Sequence, residues 1–482
     1  LNFSPKVLNF FLVPRPLCFS KGEDLDSSAR MKWGAMIPSR NSPSLRVSQG
    51  WGSRGQTWSV RAWFALLILI FAAGICAAQS ASTVIEVTNP PNTAAQKVKH
   101  YVVLVSLDGF RYDYPAKYGA KNLLIMARQG ASAPDGMIPA FPSVTFPNHF
   151  TMVTGLYPDH HGIVANTFYD PVRHESYSYS DPKTTGDGSW YGGTPLWVLA
   201  EQQGMRAACF FWPTSNAEIQ GKRPSYYVAP YDDNYPDEKR IEQVLAWLQL
   251  PPEKRPHFIA LYFPNTDHAG HVYGPDAPET AEAVRHVDEM MGKLSEGIAA
   301  SGLPVNLIVV ADHGMETLRG DWVNLGKWAD LSQFETSGPL LYAKSEADAE
   351  RAYHSLLGAS DTFKVYRRAQ VPEYLHFNSN AREGDPVVVP TGPYPVEARA
   401  PEASGVTRKP PRGGHGYDPR QMPTMKAIFF AAGPDIRAGV SVQPFENVDL
   451  YPLLVRILGL KSGPMDGEIG PLQGILQMNI VN

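Results

Sequence analysis

The segment Asp267-His268-Ala269-Gly270-His271 sets a carboxylate and an imidazole four residues apart. That spacing puts Asp267 and His271 on one face of a helical turn, within reach of one ion. Asp312 and His313 are adjacent and precede Gly314, where the chain turns. His415 lies in Gly413-Gly414-His415-Gly416, a loop flexible enough to bring an imidazole close to an ion. Asp108 directly follows an apolar run. Carboxylate with imidazole, and no thiolate, suits zinc or a similar divalent metal in an open catalytic site. A single aspartate after a strand is most often a turn residue or helix cap. Three of them, two with histidines close by, point to a metal centre. His257, His286 and His354 have no such company and read as structural or surface residues.

A second chemical signal is Thr145, in the run 141–149, FPSVTFPNH. Pro147 and Asn148 signal a helix start and Gly155 its stop, which places Thr145 just ahead of a helix N-terminus. Backbone N–H groups and the helix dipole there favour an anion such as phosphate. Taken alone, a threonine in this position is usually an N-cap. Its hydroxyl becomes a useful nucleophile only when a bonded metal lowers its pKa.

These residues need a scaffold that gathers distant segments. Unalternated apolar runs at 101–106, 257–263, 305–310 and 427–431 predict strands buried on both faces of a parallel sheet. Helical stretches at 121–128, 195–203, 238–250 and 281–299 lie between them. Strand–helix alternation predicts an α/β sandwich with a mostly parallel central sheet, whose site lies at the carboxyl ends of the strands. Asp108, Asp267 and Asp312 fall there. The Pro-rich, mixed segment 335–410 reads as a small α/β insert covering the site, with His415 re-entering just after it.

The chain has 482 residues, 43% hydrophobic and 19% charged, which excludes a disordered protein. Nine of its 43 basic and three of its 47 acidic residues precede residue 79, so the remainder carries ten more acidic than basic side chains. An acidic body argues against a broad nucleic-acid surface, and no duplex partner is expected. A phosphate substrate held by metal ions stays compatible with it. Residues 1–78 form a leader: Arg61, a short apolar run and a small-residue end read as a signal peptide cut near Ala78. An uncleaved membrane anchor is the alternative. Either way the expected location is periplasmic or secreted, with membrane contact only if the leader stays. Residues 79–98 are rich in Ser, Thr, Asn, Pro and Gln and read as a flexible linker, with the catalytic domain following at 99–482. Only Cys209 lies beyond the leader, so no internal disulfide is expected. Nothing in the sequence indicates an oligomeric state.

In order and spacing, segments 103–111 (VLVSLDGFR), 141–149, 155–166 (GLYPDHHGIVAN), 210–213 (FFWP), 267–274 (DHAGHVYG) and 311–316 (ADHGME) resemble the nucleotide pyrophosphatase/phosphodiesterase family of the alkaline phosphatase superfamily. The resemblance spans roughly residues 100–456 and fits a bacterial, single-domain form without the Cys-rich flanking domains of animal members. It implies two zinc ions per chain. Asp267, His271 and His415 would hold one. Asp108, Asp312 and His313 would hold the other, with Thr145 as ligand and nucleophile. Asn166 matches the residue that hydrogen-bonds a non-bridging phosphate oxygen. Phe146 and Tyr231 match an aromatic pair that sandwiches a nucleobase, and Tyr262 helps line the same slot. The stretch 186–197 resembles a loop kept in nucleotide-cleaving members and missing from lysophospholipid-cleaving ones. The implied activity is cleavage of nucleotide phosphodiester or pyrophosphate bonds, releasing nucleoside monophosphates through a phospho-threonine intermediate. A phosphomonoesterase, a lysophospholipid-type phosphodiesterase and a non-catalytic metal- or nucleotide-binding protein are the alternatives. A sulfatase would need a modifiable Cys or Ser where Thr145 stands.

Overall fold

The apolar runs line up side by side. In the computed structural model, which describes residues 82–399, 402–403, 406–407 and 410–477, nine strands form one sheet. They are β1 (Thr83–Glu86), β2 (Tyr101–Leu107), β3 (Ala131–Ser132), β4 (Ala207–Phe210), β5 (Tyr226–Ala229), β6 (Phe258–Phe263), β7 (Val305–Val310), β8 (Phe429–Ala432) and β9 (Val440–Ser441). The order across the sheet is β1-β5-β4-β6-β2-β7-β8-β3-β9. The five strands β5, β4, β6, β2 and β7 are mutually parallel. Every residue of β2, β6 and β7 is buried, as strands covered on both faces require. The fold is the α/β sandwich expected, with a mostly parallel sheet.

Two strands depart from the expectation. The run at 427–431 yields β8, which is antiparallel to β7. A strand buried on both faces has the same composition in either direction, so its pattern carries no direction. Segment 79–98, read as a flexible linker, contributes β1 to the sheet edge, antiparallel to β5. Its β-branched Thr83-Val84-Ile85 suits an extended strand. Buried Asn92 then fastens the segment: its amide donates to the carbonyls of Pro252 and Arg255 and accepts from the Arg206 N–H. The expected leader and signal peptide lie outside the described residues.

Helices α1 (Lys121–Gln129), α2 (Thr145–Thr154), α3 (Leu196–Gln202), α4 (Asp237–Leu248), α5 (Asn265–Tyr273), α6 (Pro278–Ser301) and α7 (Leu450–Leu458) cover the sheet. The long α6 packs on α1, α4 and α5, and α7 packs on α2 and β2. A second, smaller core built from Leu325, Phe334, Leu341, Leu356, Val365, Val388 and Ala398 marks the insert, which begins about ten residues earlier than its Pro-rich composition suggests.

The insert is tied to the body through a buried carboxyl pair. Asp159, in the short helix Pro158–His161, accepts from the Asn378 and Ser379 N–H groups and the Ser379 hydroxyl. Glu383 is fully buried beside it. Burial, reinforced by the Asp159 charge, pushes the Glu383 carboxyl up to about 9 from its ordinary 4.5. Between those values the folded chain keeps a proton that the unfolded chain has lost, so stability falls as pH rises across this window. Glu383→Gln supplies a permanently neutral partner. It is expected to raise the unfolding temperature by a few degrees near pH 9, at about 2–4 °C per kcal/mol, and to change little near pH 4. Equal shifts at both pH values in thermal melts would refute this account.

Candidate metal and catalytic centre

Three adjacent parallel strands deliver the three aspartates. Asp108 follows β2, Asp312 follows β7 and Asp267 sits in the first turn of α5, which follows β6. Gly109 permits the closest approach: its φ is +64°, and a Cβ there would lie 2.8 Å from the Asp267 Cα. Its N–H donates to Asp312 Oδ1 at 3.2 Å. The His415 loop is positioned the same way. Gly413 packs so tightly on Gly270 that a Cβ would meet its carbonyl oxygen at 2.4 Å, while Gly413–Gly414 pair with Glu316–Thr317. These glycines serve close packing, not the flexibility their sequence suggests.

Two sets of atoms converge. His271 Nε2 lies 3.1 Å from His415 Nε2 and 3.3 Å from Asp267 Oδ1, and His415 Nε2 lies 3.6 Å from the same oxygen. His313 Nε2 lies 3.0 Å from Asp312 Oδ2, 3.6 Å from Asp108 Oδ1 and 3.4 Å from Thr145 Oγ1. The sets touch: His313 and His415 stack at 3.6 Å, and a ligand atom of His313 also lies within 4.8 Å of Asp267 and His415 atoms.

The donors fit bound cations. His271, His313 and His415 each place Nδ1 at 2.8–2.9 Å from a backbone carbonyl, of Gly413, Gly314 and Ser143. A carbonyl only accepts, so Nδ1 carries the proton and Nε2 presents a lone pair to the centre, the arrangement of metal-bound histidines. Two such lone pairs 3.1 Å apart repel unless a cation lies between them. Asp108 Oδ1, Asp267 Oδ1 and Asp312 Oδ2 are buried with no hydrogen-bond partner, a cost that a cation removes. Burial, then the charges of Asp312 and Asp267, raise the Asp108 carboxyl well above its usual range. Against its burial, Asp312 is held low by the imidazoles of His313 and His149. Burial and the neighbouring His313 and His271 keep His415 neutral.

Thr145 is the first residue of α2, not a residue ahead of it. Pro147 falls inside the first turn, where its missing N–H costs nothing. The Phe146 N–H donates to Asn166 Oδ1 at 2.9 Å, which brings Asn166 to the same helix end. His149, one turn after Thr145, escaped the sequence reading. Its Nδ1 donates to the Thr145 carbonyl and its Nε2 accepts from Ser106, both at 2.8 Å. Both nitrogens are therefore committed, and His149 supports the centre without a lone pair to offer an ion. The i,i+4 spacing to Thr145 was its only signal.

A cleft of about 700 Å³ opens from this centre and includes Thr145, Phe146, Asn166, Tyr231 and Tyr262 in its walls. Phe146 packs beside Tyr179 at 5.8 Å, and Tyr231 beside Phe211 at 5.0 Å. Tyr179 was not anticipated. Tyr231 is 50% exposed, so its ring is available, and its hydroxyl donates to Asp233 Oδ1. Tyr262 is buried and donates to Asp108 Oδ2 at 2.5 Å, so it orients a carboxylate as well as lining the cleft. Elsewhere, His257 stacks on Tyr101, His286 pairs with Asp237 and His354 with Glu350, outside the centre.

Residues 102–418 match the family described as type I phosphodiesterase / nucleotide pyrophosphatase. The chain belongs to that family. This phosphodiesterase-family chain is therefore an enzyme of a hydrolytic, metal-dependent group. It is 34% identical over 395 residues to an uncharacterised pyrophosphatase/phosphodiesterase of Schizosaccharomyces pombe, covering 78% of this chain and 80% of that one. With human ectonucleotide pyrophosphatase/phosphodiesterase family member 1 it shares 34% identity over 410 residues, which is 81% of this chain but 43% of the relative. Among solved structures, an inactive threonine-to-alanine variant of murine ectonucleotide pyrophosphatase/phosphodiesterase 5 in complex with AMP superposes with a TM-score of 0.72 and 29% identity, over 79% of this chain and 100% of that chain.

Proposed function

We propose that this enzyme hydrolyses phosphodiester or pyrophosphate bonds of nucleotides with two zinc ions and releases nucleoside monophosphates. The carrying observation is Thr145 Oγ1 beside His313 and partnerless carboxylate oxygens, at the mouth of an aromatic-walled cleft. Asp267, His271 and His415 would hold one ion, and Asp108, Asp312, His313 and Thr145 the other. When bound, the ions supply Lewis-acid polarisation and lower the pKa of hydroxyl and water. The Thr145 hydroxyl gives up its proton and its oxygen attacks phosphorus in line. The bond to the leaving oxygen breaks, and that oxygen takes up a proton. Water then cleaves the phospho-threonine ester and restores Thr145. Asn166 donates to a non-bridging phosphoryl oxygen where charge builds up. The AMP bound to the murine relative, and the inactivity of its threonine-to-alanine variant, support both the substrate class and the nucleophile.

Phe146 and Tyr231 sandwich the base. In the loop that resembles those of nucleotide-cleaving members, Trp190 and Tyr191 are buried, with Tyr191 against Phe150 of α2 at 5.3 Å. Side chains thus fill this region, which favours nucleotides over lysophospholipids. Among the described residues no helix is long and apolar enough to cross a membrane. A periplasmic or secreted enzyme is the proposed setting.

Stacking contributes about 1–3 kcal/mol per base. Phe146→Ala and Tyr231→Ala are each expected to raise KM for a nucleotide diester by roughly ten- to a hundredfold. Cleavage of p-nitrophenyl phenylphosphonate, which has no base, should change far less. Equal losses on both substrates would reduce the two aromatics to supports of the fold. A wild-type preference for a lysophospholipid or a monoester in the same assays would defeat the nucleotide assignment.

A further inference from the structure

The consecutive residues 211–216 follow β4 and all line the nucleotide cleft. This turn reaches both walls of the base slot. Phe211 packs on Tyr231 at 5.0 Å. Trp212 packs edge-on against His149 of α2, the helix that carries Phe146, and its Nε1 donates to the His149 carbonyl at 3.3 Å. Thr214 differs from its neighbours in the turn. It is only 2% exposed, and its Oγ1 has no hydrogen-bond partner among the described residues. The other buried hydroxyls in the cleft walls are committed: Thr185 donates to the Asp181 carbonyl, Ser215 to the Trp212 carbonyl and Tyr262 to Asp108. Thr214 also has φ +78°, a conformation that β-branched side chains rarely adopt. Strain of this kind collects at positions that hold a ligand.

We propose that Thr214 reads the edge of the base, its hydroxyl bonding the exocyclic group of the nucleobase held between Phe146 and Tyr231. The proposal rests on the reading of this cleft as the base slot. Stacking is blind to the polar groups around a ring, since every base has a π-face. An edge contact supplies what stacking lacks. A hydroxyl has one donor and two acceptor lone pairs and rotates to suit. It accepts from the amine of adenine or cytosine, and it donates to the carbonyl oxygen of hypoxanthine, guanine or uracil. Thr214 therefore tolerates all the common bases. It disfavours a base with a bare C–H in that place, which would leave the hydroxyl buried and unpaired. No single base is chosen, but a polar edge is required.

The test uses the p-nitrophenyl esters of adenosine, inosine and purine riboside 5′-monophosphates, which share leaving group, sugar and ring system. Purine riboside has hydrogen where the other two carry an amine or a carbonyl. For the zinc-loaded wild type, kcat/KM should be about equal for the first two and about tenfold lower for purine riboside. The difference should lie in KM, because the chemistry at Thr145 is common to all three. Thr214→Val keeps the β-branched shape and loses only the hydroxyl, and it should bring the three esters to within about twofold of one another. Calorimetric titration with AMP and with purine riboside 5′-monophosphate should show the same ratio in Kd for the wild type and its loss in Thr214→Val, independently of turnover. The variant should melt at or above the wild type, since an unpaired buried hydroxyl adds nothing to the fold. A loss of several degrees would make the hydroxyl a structural group and overturn the proposal. So would a wild type that cleaves purine riboside as well as adenosine, or a ratio unmoved by Thr214→Val. In those cases the nucleotide reading survives if all three esters are cleaved well above methyl p-nitrophenyl phosphate, which has no base. If none of them exceeds that base-free diester, the nucleotide reading itself fails and the proposal falls with it.

Discussion

Thr145→Ala should lower kcat on nucleotide diesters by about three or more powers of ten while leaving fold and zinc content intact. Enzymes that lose a covalent nucleophile keep only what positioning and electrostatics provide, and the deficit reaches about 10⁶ in well-studied hydrolases. The helix would survive the change. Thr145 is its first residue and makes no side-chain cap bond, and the Phe146 N–H behind it stays bonded to Asn166. Thr145→Ser keeps the oxygen and should retain partial turnover, reduced because serine lacks the methyl that restricts the side-chain rotamers. Acid quenching during turnover, followed by peptide mass spectrometry, should find the phosphoryl group on residue 145 in the wild type and the serine variant. Near-normal kcat in the alanine variant would end the covalent mechanism. Zinc loss in that variant would instead make Thr145 chiefly a ligand.

Much of this centre was readable because its parts obey short-range rules. Strands buried on both faces are continuous apolar runs, and the first charged residues after β2 and β7 are Asp108 and Asp312. Asp267 and His271 announce each other at helical spacing. What escaped depends on contacts far apart in the chain. His149 acts through Ser106, 43 residues earlier. Tyr179 reaches Phe146 only because the hairpin of Thr167–Asp170 and Glu175–Ser178 folds over α2. Strand direction left no mark in the composition of β8. The glycines at 109 and 413 look like flexible turns in one dimension, whereas in three they are places where a Cβ would strike a neighbouring backbone. The joint reading of Phe146 and Tyr231 came from resemblance, since no local rule separates a stacking platform from a core aromatic.

Removing metal should abolish activity, and zinc should restore it, because the centre holds three buried carboxylate oxygens without a hydrogen-bond partner and three imidazoles that each turn Nδ1 to a backbone carbonyl and Nε2 inward. Each site saturated a thousandfold above its Kd adds about 4 kcal/mol to folding. Chelation is therefore expected to lower Tm by roughly 10 °C or more, measured alongside activity. Ligation needs ionised aspartates and neutral histidines, so activity should fall as pH drops below neutrality and recover at mildly alkaline pH. The sharper question is which ion His313 serves, since it lies 3.0 Å from Asp312 yet stacks on His415 at 3.6 Å. Its Nε2 stands nearer the Asp108–Asp312–Thr145 atoms, and its Nδ1 proton is fixed on the Gly314 carbonyl. The expected zinc contents follow from that partition. Wild type should hold two per chain, and Asp108→Asn, Asp267→Asn and His313→Ala about one each. Asp108→Asn combined with His313→Ala should still hold about one, because both lesions strike the same ion, whereas Asp267→Asn with His313→Ala should hold none. If the two double variants exchange these contents, His313 belongs with Asp267 and His415, and Thr145 loses the imidazole that places it beside an ion.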